Sequence, residues 1–533
     1  MKSLLVLGDE AFARGALDGG LSGAFGYPGT PSTEIIEYIQ QDKEAVDRGV
    51  KQDWSANEKT AFESALGMSY TGKRTIVTMK HVGLNVAADP FMNSAVTGVH
   101  GGVLVAVADD PSMHSSQNEQ DSRFYGNFAM IPILEPSNQQ EAYDMARTGF
   151  ELSEKFHLPV MVRLTTRLAH SRSPVTRKKI LKENSLSMPE DPNQFMLLPA
   201  FARKKYRKLL EQQDALVQAS EESPFNHFTD GPDYSLGIIA CGLVYNYLME
   251  NYPDDKCPYP VAKIGQYPLP EKMLHKLRSR CKTLLILEEG MPVVEEMIRG
   301  VFGAEGLTVK GRLDGTLPRD GELNPGLVRK ALGLPIREGL PVPDIVAPRP
   351  PALCTGCPHQ DSFKALNKAL EPYGPGHVFS DIGCYTLGFL PPFNAINTCV
   401  DMGASFTMSV GAAEGGLFPS VAVIGDSTFG HSGLTGLADA TFRKSNVVLI
   451  ILDNDTTAMT GMQDSVISGK IEKVCEAMGV EKEHIRELMA LPRELERNVE
   501  VLKEEIEYKG VSVVIFRRPC IHLAGKKRTG GLS

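Results

Sequence analysis

The chain has 533 residues, a formal net charge of −9, 42% hydrophobic and 23% charged residues. That length exceeds what one core supports, so two to four domains are expected. The composition excludes a disordered chain, and no apolar run reaches the roughly 20 residues needed to cross a bilayer.

The opening MKSLLVLGDE meets acid too early for a signal peptide, so a cytoplasmic location is expected. Apolar runs at 75–79, 103–108 and 160–164 alternate with amphipathic stretches, which is α/β patterning built on mainly parallel sheets. The charged stretch 201–219 predicts one exposed helix, followed by linker-like Ser220-Glu221-Glu222-Ser223-Pro224. Runs at 235–241 and 283–287 predict strands of a smaller α/β unit that ends near the proline-rich 340–351, a semi-rigid connection. The remainder reads as a further full α/β domain. No basic run suits nucleic acid as the main partner, and Lys526-Lys527-Arg528 is read as a solvated terminus.

Two tripeptides in this last part, Gly425-Asp426-Ser427 and Asp453-Asn454-Asp455, each close an apolar run, 420–424 and 447–452. Runs without alternation suit parallel strands buried on both faces. A single helix over 431–442 makes the pair a right-handed crossover, which brings Asp426 and Asn454 side by side at one sheet edge. Magnesium takes about six oxygens, and Asp426, Asn454 and the Thr456 carbonyl can supply three while a diphosphate supplies others. Unpaired N–H groups at Gly430 and Gly433 would hold the diphosphate charge. This spacing fits the metal grip of a thiamine diphosphate enzyme; two acidic turns of any doubly wound sheet are the alternative.

Further segments share a pattern: Tyr27-Pro28-Gly29-Thr30-Pro31-Ser32-Thr33, Met79-Lys80-His81-Val82-Gly83-Leu84-Asn85, HSSQNEQDSR at 114–123, CTGCPH at 354–359, DIGCYTLG at 381–388, Met402-Gly403-Ala404-Ser405, GDSTF at 425–429 and DNDTTAMTG at 453–461. Over nearly its whole length the chain resembles alpha subunits of indolepyruvate:ferredoxin oxidoreductases, within the 2-oxoacid:ferredoxin oxidoreductase family. The resemblance implies a pyrimidine-binding domain (1–195), a linker (196–230), a transketolase C-terminal-like domain (231–345) and a diphosphate-binding domain (346–533). It implies oxidation of an aryl pyruvate to an acyl-CoA. Glu58 is implied as the acid that pairs with the cofactor pyrimidine, Glu63 being the rival by position. Thr30 is implied to meet the substrate carboxylate, with Arg123 as its charge partner or else in a surface ion pair with Glu119. His81 is a candidate proton shuttle, and His431 and Gln463 are candidate lining residues. The cofactor is implied to lie against Cys357, His359, Gly383, Gly403, Gly425, Asp426, Ser427, Asn454, Thr456, Met459 and Thr460.

Of nine cysteines, Cys354, Cys357, Cys384 and Cys520 resemble the set that holds a [4Fe–4S] cluster in related enzymes. Buried thiols and a zinc site are the alternatives. The resemblance also implies a homodimer, a smaller beta subunit, coenzyme A as co-substrate and ferredoxin as acceptor. The sequence ends at Gly530-Gly531-Leu532-Ser533 without the cysteine-rich ferredoxin-like tail of such subunits. Electrons are therefore expected to leave through a partner subunit or a soluble acceptor, or the reaction is a non-oxidative decarboxylation or carboligation; a non-catalytic subunit is the remaining alternative.

Overall fold

The proline-rich segment divides the molecule. In the computed structural model, which describes residues 3–523 except 253–255, 302, 304, 337 and 338, the chain forms two compact units, 1–340 and 341–533. Residues 339–351 between their cores are exposed and carry no helix or strand. The basic 526–528 and the terminal 530–533 lie outside the described residues.

In the first unit a seven-stranded sheet runs in the spatial order Gln266–Tyr267, Ile133–Leu134, Val160–Thr165, Val103–Asp109, Thr75–Lys80, Gly23–Gly26, Lys51–Trp54. Every neighbouring pair is parallel except Gln266–Tyr267 with Ile133–Leu134. The expected strands are present, each a residue or so longer than its apolar run. Val103–Asp109 is buried at every position because helices cover both of its faces. A second sheet runs Thr308–Lys310, Thr283–Leu287, Gly237–Cys241, Val261–Ile264, His227–Thr229, antiparallel only at its last pair. Ser3–Leu7 and Arg172–Thr176 form a separate antiparallel pair.

Two expectations change here. The single helix over 201–219 is two, Pro199–Glu211 and Gln213–Glu221, separated at Gln212. Leu209 and Leu216 are their buried anchors. The linker-like segment is also tied down: Ser220 is fully buried, its hydroxyl donates to the Gln266 carbonyl at 2.9 Å, and Asn226 Nδ2 donates to the carbonyls of Ser220 and Gln266. Polar composition there serves buried hydrogen bonds rather than solvation.

The second unit holds five strands, all parallel, in the order Val378–Ser380, Val421–Gly425, Val447–Asp453, Val511–Arg517, Ile485–Met489. The Val421–Gly425 and Val447–Asp453 strands are buried throughout and pair from Val421↔Val448 to Gly425↔Leu452, so Asp426 and Asn454 leave adjacent strands at one edge. The helix expected over 431–442 starts earlier. It opens at Asp426–Thr428, widens to a π turn over Phe429–Gly433 and continues as Leu434–Arg443. No helix among the described residues is long and apolar enough to cross a membrane.

Candidate active site

Ligands of parallel sheets gather at the carboxyl ends of the strands, and both units place their chemistry there. In the first unit, Lys51–Trp54 leads to the helix Glu58–Tyr70, capped by Asn57, whose side chain accepts from Thr60 N at 2.9 Å. Glu58 stands at the first helical position, where the N-terminal dipole favours a carboxylate, and it is only 5% exposed. A Cβ built on Gly83 would sit 2.5 Å from Glu58 Oε1, so only glycine lets the following strand-to-helix turn close over this carboxylate. Glu63 points away into an exposed ion pair with Lys59.

Thr30 is half-buried, and its carbonyl accepts from Ser115 Oγ at 3.2 Å. His81 is 1% exposed; Nε2 lies 3.2 Å from the Asn118 carbonyl, to which it donates, and Nδ1 is buried without a partner among the described residues.

Arg123 requires a correction. It does not lie on the surface beside Glu119. It is fully buried, with Nε and Nη2 donating to Asp121 at 2.9 and 2.6 Å, Nη1 2.9 Å from Glu288 Oε2, and Nη2 also reaching the Glu289 and Met291 carbonyls. Glu119 instead accepts from Ser112 N. Arg163 continues the network to Asp109 and Glu135 at 2.6 and 2.5 Å, and Tyr267 donates to Glu135. Burial opposes ionisation of Asp121, but Arg123 and Arg163 hold its pKa down to about 2. With its fork committed to these acceptors, Arg123 has no donor for an incoming carboxylate.

At the strand tips of the second unit's sheet, Asp426 is 2% exposed. Oδ1 accepts from Ser427 N at 2.8 Å, whereas Oδ2 has no hydrogen-bond partner among the described residues. Burial, then repulsion from Asp453, pushes this carboxyl up to about 8. Asn454 is buried beside it; its Nδ2 is 3.5 Å from His359 Nε2 and its Oδ1 accepts only a long 3.4 Å bond from Thr456 N. Thr456 Oγ1 donates to the Gln463 carbonyl at 3.1 Å, and Thr460 Oγ1 donates to Gln463 Oε1 at 2.7 Å, folding 456–463 back on itself. Met459 on that loop is 62% exposed. Ser427 Oγ and Thr457 Oγ1, 2.7 Å apart, join the two strand tips. An orphaned carboxylate oxygen next to an underused amide oxygen is a donor set of hard oxygens, which fits a magnesium ion carrying a diphosphate.

Asp381, missed as an individual residue, organises the same edge. It is fully buried and accepts from Gly403 N at 3.0 Å, Ser405 Oγ at 2.7 Å and the Tyr385 hydroxyl. Burial raises its pKa to about 6. The Tyr385 ring lies flush against the backbone, so a Cβ on Gly425 would meet its Cε1 at 2.6 Å, and one on Gly383 would meet it closer still. His359, fully buried near the start of the helix Pro358–Leu370, is pushed down to about 4 and is therefore neutral at pH 7. Gly430 and Gly433 are corrected too: with the helix starting at Asp426, its free N–H groups are those of the first turn, and both glycines fall past it. His431 is buried, its Nδ1 2.5 Å from Ser432 Oγ.

Cys354, Cys357, Cys384 and Cys520 come from three separate segments yet lie close enough for their charges to act on one another. Burial, with that mutual repulsion, raises the Cys357 thiol to about 11 and the Cys384 thiol to about 12. Cys354 Sγ is 3.4 Å from His522 Nε2. Among the described residues no group of three or more Cys, His, Asp and Glu side chains is arranged to hold a metal ion. The four thiols are thus convergent without forming a closed ligand set.

Residues 14–221 match the family described as the thiamine diphosphate-binding region of pyruvate flavodoxin/ferredoxin oxidoreductases, and residues 381–516 match the C-terminal TPP-binding domain of thiamine pyrophosphate enzymes. Indolepyruvate oxidoreductase subunit IorA of Archaeoglobus fulgidus is 40% identical over 99% of this chain and 88% of its own length. The subunit of that name in Methanothermobacter thermautotrophicus is 40% identical over 98% of this chain and 88% of its own. A solved 2-oxoglutarate:ferredoxin oxidoreductase from Magnetococcus marinus, with 2-oxoglutarate, coenzyme A and succinyl-CoA bound, shares the fold over 62% of this chain and 65% of that one, with a TM-score of 0.51 and 17% identity. The expected α/β fold with mainly parallel sheets is therefore that of thiamine diphosphate oxidoreductases, and the chain belongs to the indolepyruvate oxidoreductase IorA family.

Proposed function

We propose that this chain, with a smaller beta subunit and at least as a homodimer, oxidatively decarboxylates an aryl 2-oxo acid such as indolepyruvate. In balance, the 2-oxo acid and coenzyme A give the acyl thioester, carbon dioxide, two protons and two electrons, the last passing to ferredoxin or another acceptor. The observation that carries the reading is the buried, partnerless Asp426 Oδ2 beside Asn454 on the neighbouring strand tip. Asp426, Asn454 and the Thr456 carbonyl hold the magnesium, with Gly425 and Ser427 at the diphosphate. Cys357, His359, Gly383, Gly403, Met459 and Thr460 line the same edge. Thiamine diphosphate supplies a carbon nucleophile that also accepts the electrons left by decarboxylation.

Glu58 holds the pyrimidine by a charge-assisted hydrogen bond and keeps its proton transfer in a water-poor setting. Thr30 contacts the substrate, and His81, sealed from bulk water, can exchange a proton only within the closed site. We assign the pyrimidine-binding role to the seven-stranded sheet, the transketolase C-terminal-like role to the sheet of 227–310, and the diphosphate-binding role to 341–533. Cys354, Cys357, Cys384 and Cys520 take one [4Fe–4S] cluster, their soft donors suiting iron.

The test is anaerobic turnover of indolepyruvate by the two-subunit complex with coenzyme A and an artificial acceptor. Glu58→Gln is expected to cut turnover by about 100-fold or more, the scale of a lost proton-transfer group, with full cofactor content. Unchanged turnover removes Glu58 from the chemistry. Fully active protein free of iron would remove the cluster and favour non-oxidative decarboxylation.

A further inference from the structure

The burial of Arg123 leaves the substrate carboxylate without its expected cation. At the carboxyl edge of the seven-stranded sheet Arg163 is matched to Asp109, Arg167 to Glu322 and His170 to Glu34. Lys80 is placed differently. It ends the strand Thr75–Lys80, is half-buried, and makes no ion pair among the described residues. Its Nζ donates to the Ser115 carbonyl at 2.8 Å, which leaves two of its three N–H donors for another acceptor.

Its position is fixed from three sides. The aliphatic stem runs along the Thr30 loop, where a Cβ on Gly29 would lie 3.3 Å from Lys80 Cδ. Ser115 ties the two together, since its carbonyl holds the ammonium while its hydroxyl donates to the Thr30 carbonyl at 3.2 Å. Ser115 itself is anchored by Asp110, which accepts from Ser115 N at 2.8 Å, from Ser116 Oγ at 2.6 Å and from Thr166 Oγ1 at 2.7 Å. Asp110, though hydrogen-bonded to these neutral donors and not ion-paired with Lys80, acts on the ammonium electrostatically, and Glu58 does so less strongly, so the ammonium lies within reach of the acid assigned to the cofactor.

Resting on the 2-oxo acid reading above, we propose that Lys80 is the cation that receives the substrate carboxylate beside Thr30, held in place by Ser115 and Asp110. Two free N–H donors on a partly dehydrated ammonium give a carboxylate charge-assisted bonds, and the position next to Glu58 brings the keto carbon toward the cofactor end of the site.

The experiment compares the cofactor-loaded two-subunit complex with its Lys80→Met and Lys80→Arg variants. Lys80→Met is expected to raise KM for indolepyruvate on the order of 10- to 100-fold, the scale of a lost hydrogen bond to a charged group. KM should rise far more than kcat falls, thiamine diphosphate affinity should hold, and Lys80→Arg should restore most of KM. A wild-type KM in Lys80→Met, or loss of cofactor in place of substrate affinity, overturns the proposal. Trace acetylation of the wild-type complex decides the matter should Lys80→Met not assemble. Indolepyruvate should slow labelling of Lys80 while the matching ketone without a carboxylate does not, and equal effects of the two overturn the proposal. Wild-type complex that neither binds nor turns over any 2-oxo acid defeats the functional reading itself, a result distinct from a Lys80 variant behaving as wild type.

Discussion

Two buried polar clusters handle their charge in opposite ways. In the first unit, Asp109, Asp121, Glu135, Glu288 and Glu289 share a sealed region with Arg123, Arg163 and Arg312, and the carboxylates are bound to guanidinium, tyrosine or backbone donors. In the second unit, Asp426 is as deeply buried, yet among the described residues its Oδ2 has no hydrogen-bond partner and no cation pairs with it. Burial alone therefore does not mark a ligand-binding acid, nor does an unpartnered oxygen, since Asp9 is buried with neither oxygen hydrogen-bonded among the described residues; Asp426 stands apart because its open oxygen lies beside Asn454 on the neighbouring strand tip.

The strongest challenge to this contrast is Arg163→Met. Removing one partner from a buried ion network strands its acids, so the first unit should lose about 3–5 kcal/mol, read as a lower denaturation midpoint with an unchanged slope. A loss under about 1 kcal/mol would mean the network is not closed by its arginines.

Next comes the acid that the network leaves partly unneutralised. Burial raises Glu289 to about 7 from its ordinary 4.5, against the Leu323 N–H and Arg312, which lower it. The folded state thus holds this proton more tightly than the unfolded chain. The stability contributed is full below about pH 4.5 and disappears as pH rises through about 7. Denaturation of wild type should show a decline on the order of 3 kcal/mol over that window, and Glu289→Gln should flatten it.

The smallest effect on stability is expected at Asp426. Asp426→Asn replaces a buried carboxyl group, which burial keeps mostly protonated near pH 7, by a neutral group of like shape and should leave the cofactor-free protein within about 1 kcal/mol of wild type or above it, while magnesium-dependent cofactor binding is lost. A strongly destabilised Asp426→Asn would place this acid with the structural charges after all.

The outcome at each position follows from how local its cause is. Central strands were legible: the run 283–287 coincides with Thr283–Leu287, and 447–452 falls one residue short of Val447–Asp453, because burial on both faces leaves an unbroken apolar run. The pairing of Asp426 with Asn454 was legible for the same reason, since one crossover between two such runs dictates neighbouring tips. The burial of Arg123 was not, because beyond the adjacent Asp121 its partners Glu288, Glu289 and Met291 lie far along the chain and nothing near 123 announces them. Lys80 was hidden inside a motif for a like reason, its partner Ser115 being 35 residues away. The early helix start at Asp426 escaped notice because Asp426-Ser427-Thr428 after a glycine has the composition of a turn.

The π turn at Phe429–Gly433 sets the angular phase between the two ends of the segment it interrupts. Before it lies the Asp426 carboxylate; after it Leu437 and Ala440 are fully buried in the core. A π turn accommodates one residue more than an α turn, so winding the same residues as ordinary α-helix would rotate Asp426 by about 100° relative to Leu437 and Ala440, whereas deleting a single residue within 429–433 would restore ordinary winding with both faces kept. The wide turn thus acts as a one-residue spacer that lets an acid face the strand tips while the rest of its helix keeps its grip on the sheet.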